Sequence, residues 1–358
     1  MEMSLPVPKK PAVSVVVPCR NEARFIESCL RSILCQEPPE GGFEVIVADG
    51  ISTDGTAELL QDMAEQHPQL RVIKNPGRIV STGLNAAIRV ARGDIIIRMD
   101  AHTIFAPDYI RQCLAVCKET DADNVGGPMQ KSGRTYLERG IRAVFRSPFG
   151  VGGARSHDPA YEGYVDTVIY GCWRKEVFAR FGFFDEELVR NQDDEHNLRI
   201  SRGGGRIYQS RRIRSWYHVR SSLPSLFRQF MQYGYWKVLV IKKHRVPHSI
   251  RHVVPGLFVS AVALSGALAA FWAPALWGFA GSLGLYSLAL LSASLVTACR
   301  TEPKLLPVLP IIFACFHLGY GYGFLRGFFD FVMFHNAPST EFVRLTRDRG
   351  PTCREPGA

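Results

Sequence analysis

Four apolar runs alternate with stretches of helical spacing over the first 120 residues. The runs 13–17, 43–48, 70–74 and 95–99 are short, closed by polar or turn residues, and read as strands buried on both faces, the pattern of a parallel sheet. Between them apolar residues recur on one helical face. Phe25, Ile26, Cys29, Leu30 and Ile33 mark a helix over 22–35, and Ala57, Leu60 and Met63 mark one that Thr53 or Asp54 caps and that ends near Gln66. A helix over 81–90 and another opened by Pro107 and reaching Glu119 continue the series. Repeated units of this size predict an α/β fold with a doubly wound, mostly parallel sheet, whose ligands gather at the carboxyl ends of the strands.

After Asn124 the rhythm changes. Residues 134–146 keep helical spacing with many basic side chains, and 147–163, rich in Gly, Ser, Pro and Tyr, reads as a long loop of the kind that binds or covers something. The pattern predicts a strand at 168–171, a short helix at 175–180, a helix over 193–202 ended by Gly203, Gly204 and Gly205, and a strand at 212–217. An amphipathic helix over 222–241 follows. Residues 253–273 and 276–298 then carry no charge, and each is long enough to span about 30 Å of hydrocarbon. Trp272 and Trp277 mark an interface at their shared end. A third segment, 305–325, is interrupted by Gly319, Tyr320, Gly321, Tyr322 and Gly323.

Charge gives these segments a direction. The net charge of +10 suits nucleic acid, anionic lipid or a phosphorylated substrate. The densest basic run, Lys242, Lys243, His244 and Arg245 with His248, Arg251 and His252, abuts the first apolar segment, so anionic lipid is the expected partner; no established nucleic-acid motif is present. The same run fixes that end in the cytoplasm, and Arg300 with Lys304 returns the second segment to the same side. If 305–325 spans, Arg344, Arg347, Arg349 and Arg354 lie outside, against the usual bias; if it is re-entrant or interfacial, the tail stays inside. The nine cysteines form no Cys-x-x-Cys pair and read as reduced core residues, and residues 1–10 lack the apolar core of a signal peptide.

Acidic residues stand at successive predicted strand ends, at Asp49, Asp54 and Asp100, with His102 beside the last. Their order has a known counterpart. The segment 13–22 (VSVVVPCRNE) resembles the opening strand of glycosyltransferase family 2, and 49–56 (DGISTDGT) resembles its donor-binding loop with Ile51 inserted. Gly93-Asp94 followed by the apolar run and Asp100-Ala101-His102 resembles its metal strand, and Gln192-Asp193-Asp194-Glu195 with Arg199 its catalytic helix. Asn75-Pro76-Gly77-Arg78, the segment 81–85 and the Asp-Ala-His motif are most similar to the bacterial succinoglycan-biosynthesis (ExoA-like) type.

The resemblance implies a GT-A fold with a C-terminal transmembrane helical region, and an inverting transferase using a nucleoside diphosphate sugar, with uracil the expected base. Residue by residue, it places Pro18, Arg20, Glu22, Asp49, Asp54, Arg78 and Asn85 around the donor. In the helix over 227–237 it makes Arg228, Gln229, Tyr233, Trp236 and Lys237 candidates for diphosphate or acceptor contact. A departing diphosphate accumulates charge that a divalent ion stabilises. Asp100 supplies a hard oxygen; His102 stands where the family commonly has Asp, which favours Mn²⁺ over Mg²⁺, with a turn or supporting role as its alternative. His218 is a further candidate for metal or diphosphate contact. Inversion needs a base for the acceptor hydroxyl. Asp193 matches the family's position, Gln192 replaces the preceding Glu, Asp194 is the alternative base, and Glu195 supports the helix.

The resulting plan is a tail over 1–10, a catalytic unit over 11–220 (donor half 11–125, acceptor half 126–220), a basic membrane-proximal segment over 221–252, a membrane region over 253–330 and a polar tail over 331–358. Expected partners are a UDP-sugar, a polyprenyl-diphosphate-linked acceptor and glycan-assembly proteins, at the cytoplasmic face of a bacterial inner membrane. The Gln-x-x-Arg-Trp pattern of processive synthases is absent, which sets single transfer above polymerisation. A nucleotide-sugar-binding regulator without turnover, or a membrane structural or transport protein, is the competing class.

Overall fold

The computed structural model describes residues 10–343; the flanking segments, with the four tail arginines and Cys353, lie outside the described residues. The first half runs β1 (Val13–Cys19), α1 (Ile26–Leu34), β2 (Phe43–Asp49), α2 (Thr56–Gln66), β3 (Leu70–Lys74), α3 (Val80–Val90), β4 (Ile95–Arg98), β5 (Thr103–Phe105) and α4 (Tyr109–Thr120). The four expected strands pair in the order β3-β2-β1-β4, all parallel. They carry apolar side chains on both faces because helices cover both. Ile26, Leu30, Leu60, Ile110 and Val116 pack on one side, and Leu84, Ala87, Ile88, Phe178 and Ile200 on the other. The start of α2 differs from expectation. Gly55, at φ 89°, occupies the cap position, and Asp54 instead holds the first turn by accepting from the Thr56 N–H at 3.1 Å.

The second half adds β6 (Asn124–Gly126), β7 (Met129–Ser132), α5 (Tyr136–Arg146), α6 (Pro148–Val151), β8 (Gly163–Tyr164), β9 (Cys172–Arg174), α7 (Glu176–Phe181), α8 (Gln192–Arg202), β10 (Ile207–Gln209) and β11 (Ser215–His218). One sheet of eight strands results, ordered β3-β2-β1-β4-β9-β6-β10-β8, with β9 and β8 antiparallel to their neighbours, beside a small sheet β5-β11-β7. The strand expected at 168–171 falls instead at β9. Tyr170 and Gly171 take φ of 67° and 131°, which no strand accommodates. The expected loop over 147–163 is also not wholly irregular, since it contains α6 and a 3₁₀ turn, Arg155–His157. Among the described residues the cysteines are free.

The last third comprises α9 (Leu223–His244), α10 (Val254–Ala269), α11 (Ala273–Arg300), α12 (Leu309–Phe328) and a short α13 (Thr340–Val343). The stretches Ile250–Ala269 and Ala273–Arg300 are long and apolar enough to cross a membrane, and only 6% and 11% of their most apolar windows are buried. A core helix of a soluble domain would be mostly covered, so this exposure is compatible with membrane association.

The helix α12 behaves differently. Its Gly319, Gly323 and Gly327, four residues apart, lie against the α9 backbone: an added Cβ would sit 2.9 Å from the Phe227 carbonyl at Gly319, 2.7 Å from that of Tyr235 at Gly327, and on the Met231 carbonyl at Gly323. At Gly321 an added Cβ would lie 2.5 Å from the Pro255 carbonyl of α10. The glycines that interrupt the apolar segment thus make α12 the helix that joins α9 to the exposed hairpin. Gly323→Val should lower the thermal midpoint of the detergent-solubilised protein, by an overpacking cost of about 1–3 kcal/mol. Gly278→Ala, where nothing lies within 4 Å, should leave the midpoint unchanged.

Candidate active site

The carboxyl ends of β1 and β2 lie side by side, with Cys19 opposite Asp49. The loops that leave them are tied together. Asn21 donates its N–H to Ser52 Oγ at 2.9 Å and accepts from the Thr53 N–H at 2.8 Å; Ser52 Oγ donates to Asp49 at 2.5 Å; the Ala23 N–H donates to Asp54 at 3.2 Å. The inserted Ile51 takes φ 59° and bulges into solvent, so Ser52 can still turn back onto Asp49. Pro18 is buried within β1, and the Arg20 stem lies along Gly50, where a Cβ would be 3.0 Å away. Arg20 Nε is buried without a hydrogen-bond partner among the described residues. Arg78 stands exposed on a turn pinned by Asn75, which donates to the Ile79 carbonyl and accepts from Thr82.

At the end of β4 the Arg98 guanidinium is only 5% exposed. Its Nε and Nη2 donate to the two oxygens of Asp100 at 2.8 and 3.0 Å. Nη1, buried and without a hydrogen-bond partner among the described residues, lies 4.0 Å from Asp193 Oδ2 at the start of α8. Burial works against this charge, but Asp100 and then Asp193 outweigh it and hold the guanidinium protonated beyond the ordinary arginine range. His102 Nδ1 lies 3.1 Å from Glu22 Oε1, with its ring edge-on to Tyr217 at 5.2 Å. His218, next to Tyr217, stacks on Phe25 and meets Ser132 Oγ at 3.3 Å.

Among the described residues no three His, Cys, Asp or Glu side chains converge as a metal cage. A hard cation needs only one or two protein ligands when substrate phosphates complete its shell. A carboxylate offers about four acceptor positions. The Arg98 fork uses one on each Asp100 oxygen, leaving lone pairs for a cation. His102, braced by Glu22, is the neighbouring nitrogen donor. This donor set fits an ion completed by a diphosphate.

The α8 carboxylates separate by environment. Asp193 is 29% exposed and accepts from the Asp194 N–H at 2.9 Å. Asp194 points into the interior, ion-paired with Lys237 of α9 and 3.6 Å from His248. Burial opposes its charge, yet Lys237 and then His248 hold its carboxyl well below the usual range. Asp194, the alternative base, is thus a buried counter-ion of Lys237, and Asp193 is the more exposed of the two. Glu195 is occupied by Arg199 at 2.8 Å and His244 at 2.9 Å, and Gln192 is buried with its Oε1 lacking a hydrogen-bond partner among the described residues.

Two further expected donor residues lie inside the fold. Asn85 spends its amide on Phe184 and Glu186, and Trp236 is 1% exposed with Nε1 donating to the Phe342 carbonyl at 3.1 Å. Both pin elements together. Arg228 is half-buried on α9. Sequence reasoning passed over Arg98, although its signal was present: one charge at the end of an apolar strand, two residues before Asp100.

The family model described as Glycosyl transferase family 2 matches residues 14–167, from β1 to the segment before β9. The succinoglycan biosynthesis protein ExoA of Rhizobium meliloti is 30% identical over 319 residues, covering 88% of this chain and 95% of that protein. A dolichyl N-acetyl-alpha-D-glucosaminyl phosphate 3-beta-D-2,3-diacetamido-2,3-dideoxy-beta-D-glucuronosyltransferase of Methanococcus voltae is 26% identical over 327 residues, covering 88% and 96%. The solved structure of the mannosyltransferase PcManGT from Pyrobaculum calidifontis, in complex with GDP-Man and Mn²⁺, shares the fold, with a TM-score of 0.55, 20% identity and 87% of each chain covered. An α/β sheet of the GT-A type, the family pattern across its first half and a relative aligned along nearly its whole length agree: the chain belongs to glycosyltransferase family 2.

Proposed function

We propose that this protein is a metal-dependent, inverting glycosyltransferase that moves one sugar from a nucleoside diphosphate, UDP first among candidates, to a polyprenyl-linked saccharide in exopolysaccharide or cell-envelope glycan assembly. The observation that carries the reading is the single Arg98 guanidinium spanning Asp100 and Asp193. Its planar guanidinium forks onto the candidate metal carboxylate and forms a 4.0 Å ion pair with the partly exposed candidate base.

On this reading Asp49 and Arg20 hold the nucleotide, and Arg78 meets its phosphates. Asp100 and His102 would hold a divalent ion, Mn²⁺ before Mg²⁺, which when bound would offset the charge gathering on the leaving diphosphate. Asp193 accepts the proton of the acceptor hydroxyl as that oxygen attacks the anomeric carbon. The bond from that carbon to the diphosphate breaks on the opposite face, and the nucleoside diphosphate departs. Arg98 keeps Asp193 aimed, and the N-terminus of α8 favours its charge. The lipid-linked acceptor is supported by the exposed apolar hairpin and by the Methanococcus voltae relative, whose name describes transfer to a dolichyl-phosphate-linked sugar.

Two substitutions on α8 separate chemistry from stability. Asp193→Asn should lower turnover by about a thousandfold or more while donor affinity, read by calorimetry, stays within about threefold. Asp194→Asn should instead strand Lys237 as a buried charge, lowering stability by about 3–5 kcal/mol. The reverse pattern would exchange their roles. Arg98→Lys keeps the charge but loses the fork, and should reduce kcat about a hundredfold with little change in donor KM; equal loss in both would make Arg98 a donor ligand.

A further inference from the structure

The third apolar helix, α12, is held against the catalytic unit along most of its length. Its Ile312 packs at Gly140 of α5, and its His317 donates from Nε2 to the Phe149 carbonyl at 2.7 Å. Gly319, Gly323 and Gly327 then follow the α9 backbone from Phe227 to Tyr235. The helix α9 is itself bound to the catalytic unit. Asn191 donates to its Tyr233 carbonyl at 2.9 Å, its Lys237 is the ion-pair partner of Asp194, and its His244 meets Glu195 at 2.9 Å. Tied to that surface from Ile312 to Gly327, about 23 Å at 1.5 Å per residue, α12 has no length left to cross about 30 Å of hydrocarbon. The chain beyond it also returns to the catalytic unit: Phe342 is fully buried, stacks on Tyr235 at 3.8 Å, and shares an apolar cluster with Leu188 and with Leu198 of α8.

The side of α12 turned away from these contacts is apolar and uncovered. Ile311, Leu318 and Tyr322, at i, i+7 and i+11, fall within about 40° of one another around the helix. They are 51%, 41% and 44% exposed. Phe328, Phe329, Met333 and Phe334 carry the exposed apolar surface past the helix end, and Arg326 at its edge pairs with Asp330 at 3.4 Å. A neighbouring side of α12 meets the base of the exposed hairpin. Gly321 lies by Pro255 and Val259 of α10, and His317 Nδ1 is 3.2 Å from the Tyr286 hydroxyl of α11. The open face thus adjoins two helices whose most apolar windows are only 6% and 11% buried. A bilayer covers such a surface without a shaped mate, and both hairpin helices are long and apolar enough to enter one.

We propose that α12 is a membrane-surface helix. It lies in the plane of a lipid bilayer with its Ile311, Leu318 and Tyr322 face in the headgroup boundary, the α10–α11 hairpin alone enters the hydrocarbon, and the chain on both sides of the apolar region stays with the catalytic unit. The third apolar segment then adds no crossing, and the basic tail does not have to pass to the far side. The proposal goes beyond the transfer reading and does not depend on it, because its test reads topology and depth without turnover.

The full chain, tagged at both ends, is reconstituted into vesicles of phosphatidylcholine and phosphatidylglycerol and treated with protease from outside. Each molecule should lose both tags or keep both, whichever way it inserted. Molecules that lose one tag and keep the other would put α12 across the bilayer and overturn the proposal. Depth is read separately, with Cys35, Cys299, Cys315 and Cys353 replaced by Ser. Nitroxide labels on Leu318→Cys, Tyr322→Cys and, on α10, Leu264→Cys are compared by their collisions with oxygen and with a water-soluble nickel chelate; all three side chains are exposed, so the variants keep the fold. The two α12 labels should lie about 5–10 Å into the headgroup boundary, and the Leu264→Cys label at least about 5 Å deeper. Labels on α12 as deep as that on Leu264→Cys would mean a crossing, labels open to the nickel chelate would mean water, and labels reached by neither reagent would mean a protein partner over this face. Each of these three results would overturn the proposal.

Discussion

A guanidinium buried at the end of a central strand costs several kcal/mol unless carboxylates meet it, and Arg98 is met by two. One, Asp100, follows it on the same strand end; the other, Asp193, comes from a helix almost a hundred residues later. The 4.0 Å ion pair of that one cation with Asp193 relates the start of α8 to the end of β4. The position of α8 then propagates outward, because its next carboxylates are bound on the other side: Asp194 to Lys237, and Glu195 to His244. Both partners belong to α9, so the helix that presents Asp193 is clamped between the sheet and the long helix behind it.

From α9 the same constraint reaches the apolar hairpin. The four-residue glycine spacing of α12 lets two backbones approach closely, and Gly321 on another side of α12 meets α10. Packing of this kind transmits position well because it has little slack. The reaction corner and the hairpin are thus related by a continuous series of close contacts through α8, α9 and α12, which orients the candidate base relative to the end of the hairpin nearest the catalytic unit.

Much of this was legible in sequence, and the exceptions have physical causes. The strands β1 to β4 read clearly because burial on both faces leaves an unbroken apolar run, and the helices between them carry one-sided patterns. The short strands β5, β7 and β9 did not, since three or four residues hold no period, and the left-handed backbone at Tyr170 and Gly171 displaced the expected strand. Among site residues, the acidic strand ends were visible, but a partner is a tertiary fact. Sequence order could not show that Asn85 and Trp236 turn inward, that Lys237 neutralises Asp194, or that Arg98 faces two carboxylates. The glycines of α12 were equally ambiguous, reading as a flaw in a membrane span until the α9 backbone was seen against them.

The central claim is that Asp193, aimed by Arg98, directs a single displacement at the anomeric carbon. Following the first-formed product by proton NMR during turnover, with a donor of known anomeric configuration, tests it most directly. A single displacement gives a product of the opposite configuration from the first detectable signal; a product that keeps the donor's configuration would contradict it.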